Sequence, residues 1–158
     1  MEQKRILLVE DSSEEAELVM AALGTAGVEC NVWRARDGAE AWDYLRRQPP
    51  FDRAPAGNPD FILTDLNLPR MSGLELLRAL RATESLQMIP VIMLTSSREA
   101  SDIAASYEAG SNAYVVKPTC FEDFTQAVRG VVRFWGLINR LPPLRTPGLG
   151  TSPACASL

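Results

Sequence analysis

The chain has 158 residues, 46% of them apolar and 23% charged, a balance that suits one globular domain with a single core. Its net charge of -4, from 16 basic and 20 acidic residues, argues against a nucleic-acid-binding face. Histidine is absent altogether, which excludes Ser-His-Asp and Cys-His catalysis, histidine metal sites and a histidine carrier of phosphoryl groups.

The three cysteines, Cys30, Cys120 and Cys155, show no metal-type spacing and read as free thiols of a reducing cytoplasm. The N-terminus offers only four consecutive apolar residues before Glu10, too few for a signal peptide or a membrane span.

Residues 6–9 (ILLV) predict a short buried strand that ends in Glu10-Asp11. Ser12 and Glu15 then give a capping-box signature, and Ala16, Val19, Met20 and Leu23 follow at helical spacing. Residues 30–35 predict a second strand. Asp37 and Glu40 repeat the signature, opening a helix to about Gln48 that Pro49-Pro50 stops. Residues 49–59 form a long connection whose composition suggests exposure, either a tolerated insertion or a partner contact.

Residues 61–64 (FILT) predict a third strand, apolar along its length as a strand covered on both faces should be, and Asp65 leaves its tip. Ser72 and Glu75 cap a helix with Leu74, Leu76, Leu77 and Leu80 on its apolar side. Residues 90–94 predict a fourth strand running into Thr95. Ser96 and Glu99 would cap a helix whose buried stripe is Ala100, Ile103, Ala104 and Tyr107. Residues 113–116 predict a fifth strand ending in Lys117-Pro118. Thr119 and Glu122 would cap the last helix, along which Phe121, Phe124, Val128, Val131, Val132 and Trp135 keep helical spacing.

Five strands alternating with five helices predict an α/β domain with a parallel sheet covered on both faces. The expected fold is a flavodoxin-like (βα)5 three-layer sandwich with strand order 2-1-3-4-5 and a switch point between strands one and three. The domain should occupy residues 1–135. Residues 136–158 form a Pro/Gly-rich extension, seven of 23 residues, that is either a frayed terminus or a dimerisation arm whose Leu137, Ile138 and Leu141 need cover.

In such a fold all strand ends meet at one edge. Glu10, Asp11, Asp65, Thr95 and Lys117 should therefore converge. Taken singly, each has a structural reading: acids favouring a helix dipole, a turn residue, a cap, a solvated lysine. Together they make one chemistry. Three carboxylates facing one lysine must take up protons or bind a cation, and oxygen-only ligands select a hard divalent ion such as Mg²⁺. Asp65 is then a candidate nucleophile for a phosphoryl group, with Mg²⁺ and Lys117 neutralising the transferred charge and Thr95 hydrogen-bonding one of its oxygens.

These residues carry a resemblance. Glu10-Asp11, Asp65 followed by Asn67-Leu68-Pro69 and Gly73, Thr95-Ser96, and Lys117-Pro118 after Tyr114 resemble the receiver domain of two-component response regulators over residues 4–135. The resemblance implies Asp65 as phosphoacceptor, and Glu10, Asp11, Asp65 and the Asn67 carbonyl around Mg²⁺. It also implies Thr95 and Lys117 on the phosphoryl group, a cis Lys117–Pro118 bond, and Tyr114 as a switch residue that turns inward with Thr95. The acidic pair departs from the commoner Asp-Asp, and the expected organisation is a receiver without an output domain. More narrowly, the long loop before strand three, the residues 65–70 (DLNLPR), Ser106-Tyr107, Asn112-Ala113-Tyr114 and Phe134-Trp135 are similar to single-domain regulators partnered with bacterial phytochrome kinases. That implies a histidine kinase as phosphoryl donor. It also implies a homodimer through helix four, strand five, helix five and the extension.

Two other readings compete. A haloacid-dehalogenase-type phosphohydrolase needs a second acid two positions after its nucleophile, and Asn67 stands there. A pseudo-receiver that only binds partners usually lacks the equivalents of Asp65 or Lys117, and both are present.

Overall fold

The computed structural model describes residues 2–54 and 57–143. The strands are β1 (Lys4–Val9), β2 (Cys30–Ala35), β3 (Phe61–Thr64), β4 (Val91–Thr95) and β5 (Ala113–Val116). The helices are α1 (Ser13–Gly24), α2 (Gly38–Leu45), α3 (Gly73–Arg81), α4 (Ala100–Glu108) and α5 (Phe121–Arg133), the last continued by a π-helical turn over Phe134–Ile138. All five strands pair in parallel, in the order β2-β1-β3-β4-β5. The flavodoxin-like expectation therefore holds.

Alternation along the strands divides the core into two layers. Ile6, Leu8, Phe61, Leu63, Ile92 and Leu94 face α1 and α5, where Val19, Leu23, Phe124, Val128 and Val132 complete one cluster. Leu7, Val9, Ile62, Val91 and Met93 face the opposite way, against Ala41, Leu45, Leu76, Leu77 and Leu80 of α2 and α3. Every residue of β3 and β4 is buried, which explains why neither strand has a polar face.

Register then places the strand ends. Val9 pairs with both Ala35 and Thr64, so Glu10 and Asp65 leave adjacent strands side by side. Thr95 pairs with Val116, and the Lys117 N–H donates to the Thr95 carbonyl at 2.8 Å.

Several sequence expectations are corrected. Of the five capping signatures only Ser72–Glu75 closes in both directions. Ser12 and Asp37 cap as expected, but the side chain of Glu40 accepts from Arg36 N. The start of α4 slides to an N-cap at Glu99. No side chain caps that helix start; Ser97, not Ser96, touches it, its Oγ donating to Asp102 and accepting from Glu99 N. Helix α5 is capped by Cys120, which leaves the Thr119 hydroxyl one residue out of register for the job.

The expected stripe on α4 is wrong as well. Ala100, Ala104 and Tyr107 are exposed and Ile103 is half-buried, while Ser106 is buried with its hydroxyl donated to the Asp102 carbonyl. A helix of small residues has little periodic signal, and an internally satisfied serine packs inward as easily as alanine. On α1, Met20 is exposed and Ala22 takes its place in the core. Helix α2 stops at Leu45 rather than near Gln48, because Arg47 adopts a left-handed φ of 55°. The Lys117–Pro118 bond is trans, the form an X-Pro bond prefers unless its surroundings select the other; the cis bond among the described residues is Pro49–Pro50.

The loop after α2 is tied down at both ends. Phe51 stands edge-on to Trp33 and Tyr44, which stack with ring centroids 4.1 Å apart, and Arg5 N donates to Asp60. At the C-terminus Gly136 is buried against Val28, and Leu141 packs on the α1–α5 cluster, while Leu137 and Ile138 stay exposed. Residues 144–158 of the expected extension lie outside the described residues.

Candidate functional site

The site lies at the C-terminal edge of the sheet, between β1 and β3, where strand order reverses. Asp65 N donates to the Val9 carbonyl, and Thr64 Oγ1 donates to the carbonyl of Asp65. Asp65 Oδ1 accepts from Asn67 N at 3.3 Å. Backbone on both sides therefore fixes the carboxylate.

The loop behind Asp65 is clamped. Gly73 sits so close that a Cβ there would meet the Asp65 carbonyl oxygen at 2.1 Å. Gly38 N donates to the Met71 carbonyl, and a Cβ on Gly38 would also meet that oxygen at 2.1 Å. Arg70, with φ of 63°, forms a two-pronged ion pair with Asp37, Nε to Oδ2 at 2.9 Å and Nη2 to Oδ1 at 3.0 Å. Partial burial would raise the Asp37 carboxyl, but Arg70 and the backbone N–H groups of Glu40 and Ala39 hold it below the usual carboxylate range. Two glycines chosen for close approach and one ion pair thus fasten the Asp65 loop to α2 and α3.

Lys117 is the centre of the site. Its ammonium, almost fully buried, donates to Glu10 Oε2 at 2.7 Å, Asp65 Oδ2 at 2.7 Å and Glu15 Oε2 at 2.8 Å. Burial alone would lower its pKa, but the hydrogen bonds to Asp65, Glu10 and Glu15 hold it above the ordinary lysine value. Burial also pushes the Glu10 carboxyl up to about 7, against the lowering by Lys117 and by Ser12 N, with the Asp65 charge adding to the rise. With all groups ionised, three carboxylates and one ammonium leave two negative charges in excess.

Of the residues expected to converge, Glu10, Asp65 and Lys117 do so directly. Asp11 is exposed, and its carboxylate is not in the acid cluster; its carbonyl and that of Glu10 accept from the Arg34 guanidinium. Thr95 is fully buried, with Oγ1 accepting from Ser97 N at 3.4 Å. Asn67 is exposed above Asp65. Tyr114 is half-buried, and its hydroxyl donates to the Ser97 carbonyl at 3.0 Å, two residues beyond Thr95.

Sequence reasoning missed Glu15, having assigned it to a capping box. It stands in the first turn of α1, directly after the strand end that carries Glu10, and that position could have flagged it. Its carboxylate, with those of Glu10 and Asp65, offers oxygens all within 4.8 Å of one another. An all-oxygen cluster of this size fits a hard divalent cation.

Fold and site together define a doubly wound α/β domain with an acid pocket and a conjugate lysine at its switch point. The chain belongs to the response regulator receiver domain family, whose model matches residues 6–129. It is 38% identical over 132 residues to the response regulator Rcp1 of Synechocystis sp., covering 84% of this chain and 88% of Rcp1. A crystal structure of Rcp1 in its Mn²⁺-bound form superposes with a TM-score of 0.83, at 37% identity over 89% of this chain and 99% of that one. The phosphorylated cyanobacterial phytochrome response regulator RcpA gives a TM-score of 0.85 at 37% identity, over 90% of this chain and all of that chain, 100%. The bacteriophytochrome response regulator RtBRR is 47% identical, with a TM-score of 0.71 over 90% of this chain and 86% of that one.

Proposed function

We propose that this chain is a phosphoacceptor switch, a single-domain response regulator that takes a phosphoryl group on Asp65 from a partner histidine kinase. The observation that carries the proposal is the convergence of Glu10 and Asp65 on the Lys117 ammonium, each at 2.7 Å. In the transfer a carboxylate oxygen of Asp65 forms the new O–P bond. The bond from phosphorus to the donor nitrogen breaks, and its electron pair leaves with the imidazole. Lys117 supplies fixed positive charge to the transferred group, and the Thr95 hydroxyl can rotate to donate to one of its oxygens. The position two residues after Asp65, where an aspartyl phosphohydrolase of the dehalogenase type carries its general acid, is Asn67, which disfavours the phosphohydrolase reading.

A divalent cation, for which Mg²⁺ is the proposed ion, would be held by Glu10, Asp65 and the Asn67 carbonyl, with Asp11 near enough in sequence to join. When bound it supplies charge neutralisation for the phosphoryl oxygens. Treatment with acetyl phosphate and Mg²⁺ should add the mass of one phosphoryl group to the tryptic peptide containing Asp65. A chelator should prevent the addition and hydroxylamine should remove it. A modification on another peptide, or one indifferent to chelator, overturns the proposal.

The raised Glu10 carboxyl gives the metal site a pH dependence. To ligate a cation Glu10 must give up the proton it holds near neutrality. Binding should therefore be weak below pH 7 and level off above it. Titration calorimetry with Mg²⁺ should show about ten-fold tighter binding at pH 8 than at pH 6. A flat profile would remove Glu10 from the ligand set.

The names of the similar regulators support a phytochrome-type kinase as donor. A homodimer through α4, β5, α5 and the extension is supported by exposed apolar side chains: Tyr107 on α4, and Phe134, Leu137 and Ile138 on the terminal turn, the last 69% exposed. Sedimentation at tens of micromolar should give a dimer that Ile138→Glu dissociates; a monomer in both cases rejects it.

A further inference from the structure

A lysine ammonium has three N–H bonds, and all three of those on Lys117 are engaged by carboxylates. The three acceptors are not equivalent. The side chain of Glu10 is 3% exposed and that of Asp65 12%, whereas that of Glu15 is 41% exposed.

Local hydrogen bonding explains why Glu15 is there. In α3 the capping signature closes completely, with Ser72 N donating to Glu75 Oε2 at 3.0 Å. In α1 the matching donor, Ser12 N, is taken by Glu10 Oε1 at 3.1 Å. Glu15 keeps the backbone half of the cap, its N–H donating to Ser12 Oγ, and its carboxylate is released toward Lys117. Beside it opens a cavity of about 370 Å³ whose lining includes Glu15, Leu18, Arg98, Lys117, Phe121 and Phe124.

We propose that Glu15 is a displaceable anion on Lys117, holding the N–H bond that a phosphoryl oxygen on Asp65 requires and turning away when that group arrives. The inference rests on the phosphoacceptor reading of Asp65. Glu10 cannot be the one to leave, because a buried carboxylate would lose its cation. Asp65 carries the incoming group. Glu15 alone can rotate into water, losing only a half-exposed ion pair, and such pairs are weak. Repulsion between its carboxylate and the phosphoryl oxygens drives it the same way, and Arg98, across the same cavity, offers the released carboxylate a cation. Glu15 therefore sets how readily the site accepts a tetrahedral anion, as a positioning residue acting through Lys117.

The test is a ¹⁹F NMR titration with beryllofluoride, a phosphoryl mimic, at fixed MgCl₂, on the full chain and on Glu15→Gln and Glu15→Asp. Gln keeps the length without the charge. Asp keeps the charge but falls a methylene short of Lys117. Both variants should bind the mimic about five-fold more tightly than the parent. Tightening by Gln alone would mean a diffuse charge effect, weakening by both would make Glu15 a metal ligand, and no change would make it a bystander; each overturns the inference. Failure of the parent chain itself to bind the mimic would instead overturn the phosphoacceptor reading.

Discussion

Asp65→Asn will take up no phosphoryl group from acetyl phosphate or a phosphorylated kinase, a fall of at least about a hundred-fold in label at equal time. The amide lacks the oxygen anion that attacks phosphorus. Loss of folding will not be the cause. Lys117 keeps Glu10 and Glu15 as partners, and the excess negative charge of the cluster drops from two to one. The thermal midpoint of the variant should match or exceed that of the parent. Label that persists in a folded Asp65→Asn protein would move the acceptor to another residue and sink the proposed function.

Gly73→Ala will have the second largest effect, on stability and on phosphorylation together. The added Cβ would stand 2.1 Å from the Asp65 carbonyl oxygen and 3.1 Å from both the Asp65 carbonyl carbon and Leu66 Cα. All three are backbone atoms, so no side chain can yield. Either the start of α3 or the tip of β3 must shift, at a cost of about 1–3 kcal/mol. A displacement near 1 Å at the nucleophile lowers the transfer rate by about a hundred-fold. Gly130→Ala is the control. Nothing lies within 4 Å of a Cβ there, and the site is inside α5, so alanine should stabilise by about 0.5–1 kcal/mol. Denaturant melts and labelling of the two variants check the contrast. A Gly73→Ala protein with parental stability and labelling would show that the loop yields freely.

Much of this was legible in the chain itself. Strand ends carry their chemistry by position: once residues 6–9, 61–64 and 113–116 read as parallel strands, Glu10, Asp65 and Lys117 must share an edge. Weakly amphipathic elements were not legible. Helix α4 buries Ser106 and exposes Tyr107, because small side chains leave its orientation to whatever packs against it. Capping signatures marked where α1, α2 and α3 begin, but they could not say which acceptor a glutamate chooses. That choice depends on competing donors from residues distant in sequence, and at Glu15 the distant donor, Lys117, won.

The sequence by itself determined the parallel (βα)5 fold, its switch point and the strand ends that carry Glu10, Asp65 and Lys117. Apolar period and strand order constrain those globally, and no single contact can undo them. Tertiary structure alone decided which carboxylates the lysine holds, that Asp11 faces solvent while Glu15 turns inward, and that Gly38 and Gly73 press the Asp65 loop into place. These are matters of ångströms between residues far apart in the chain. A buried ammonium with three N–H bonds selects its partners by reach and geometry, and only the folded chain fixes both.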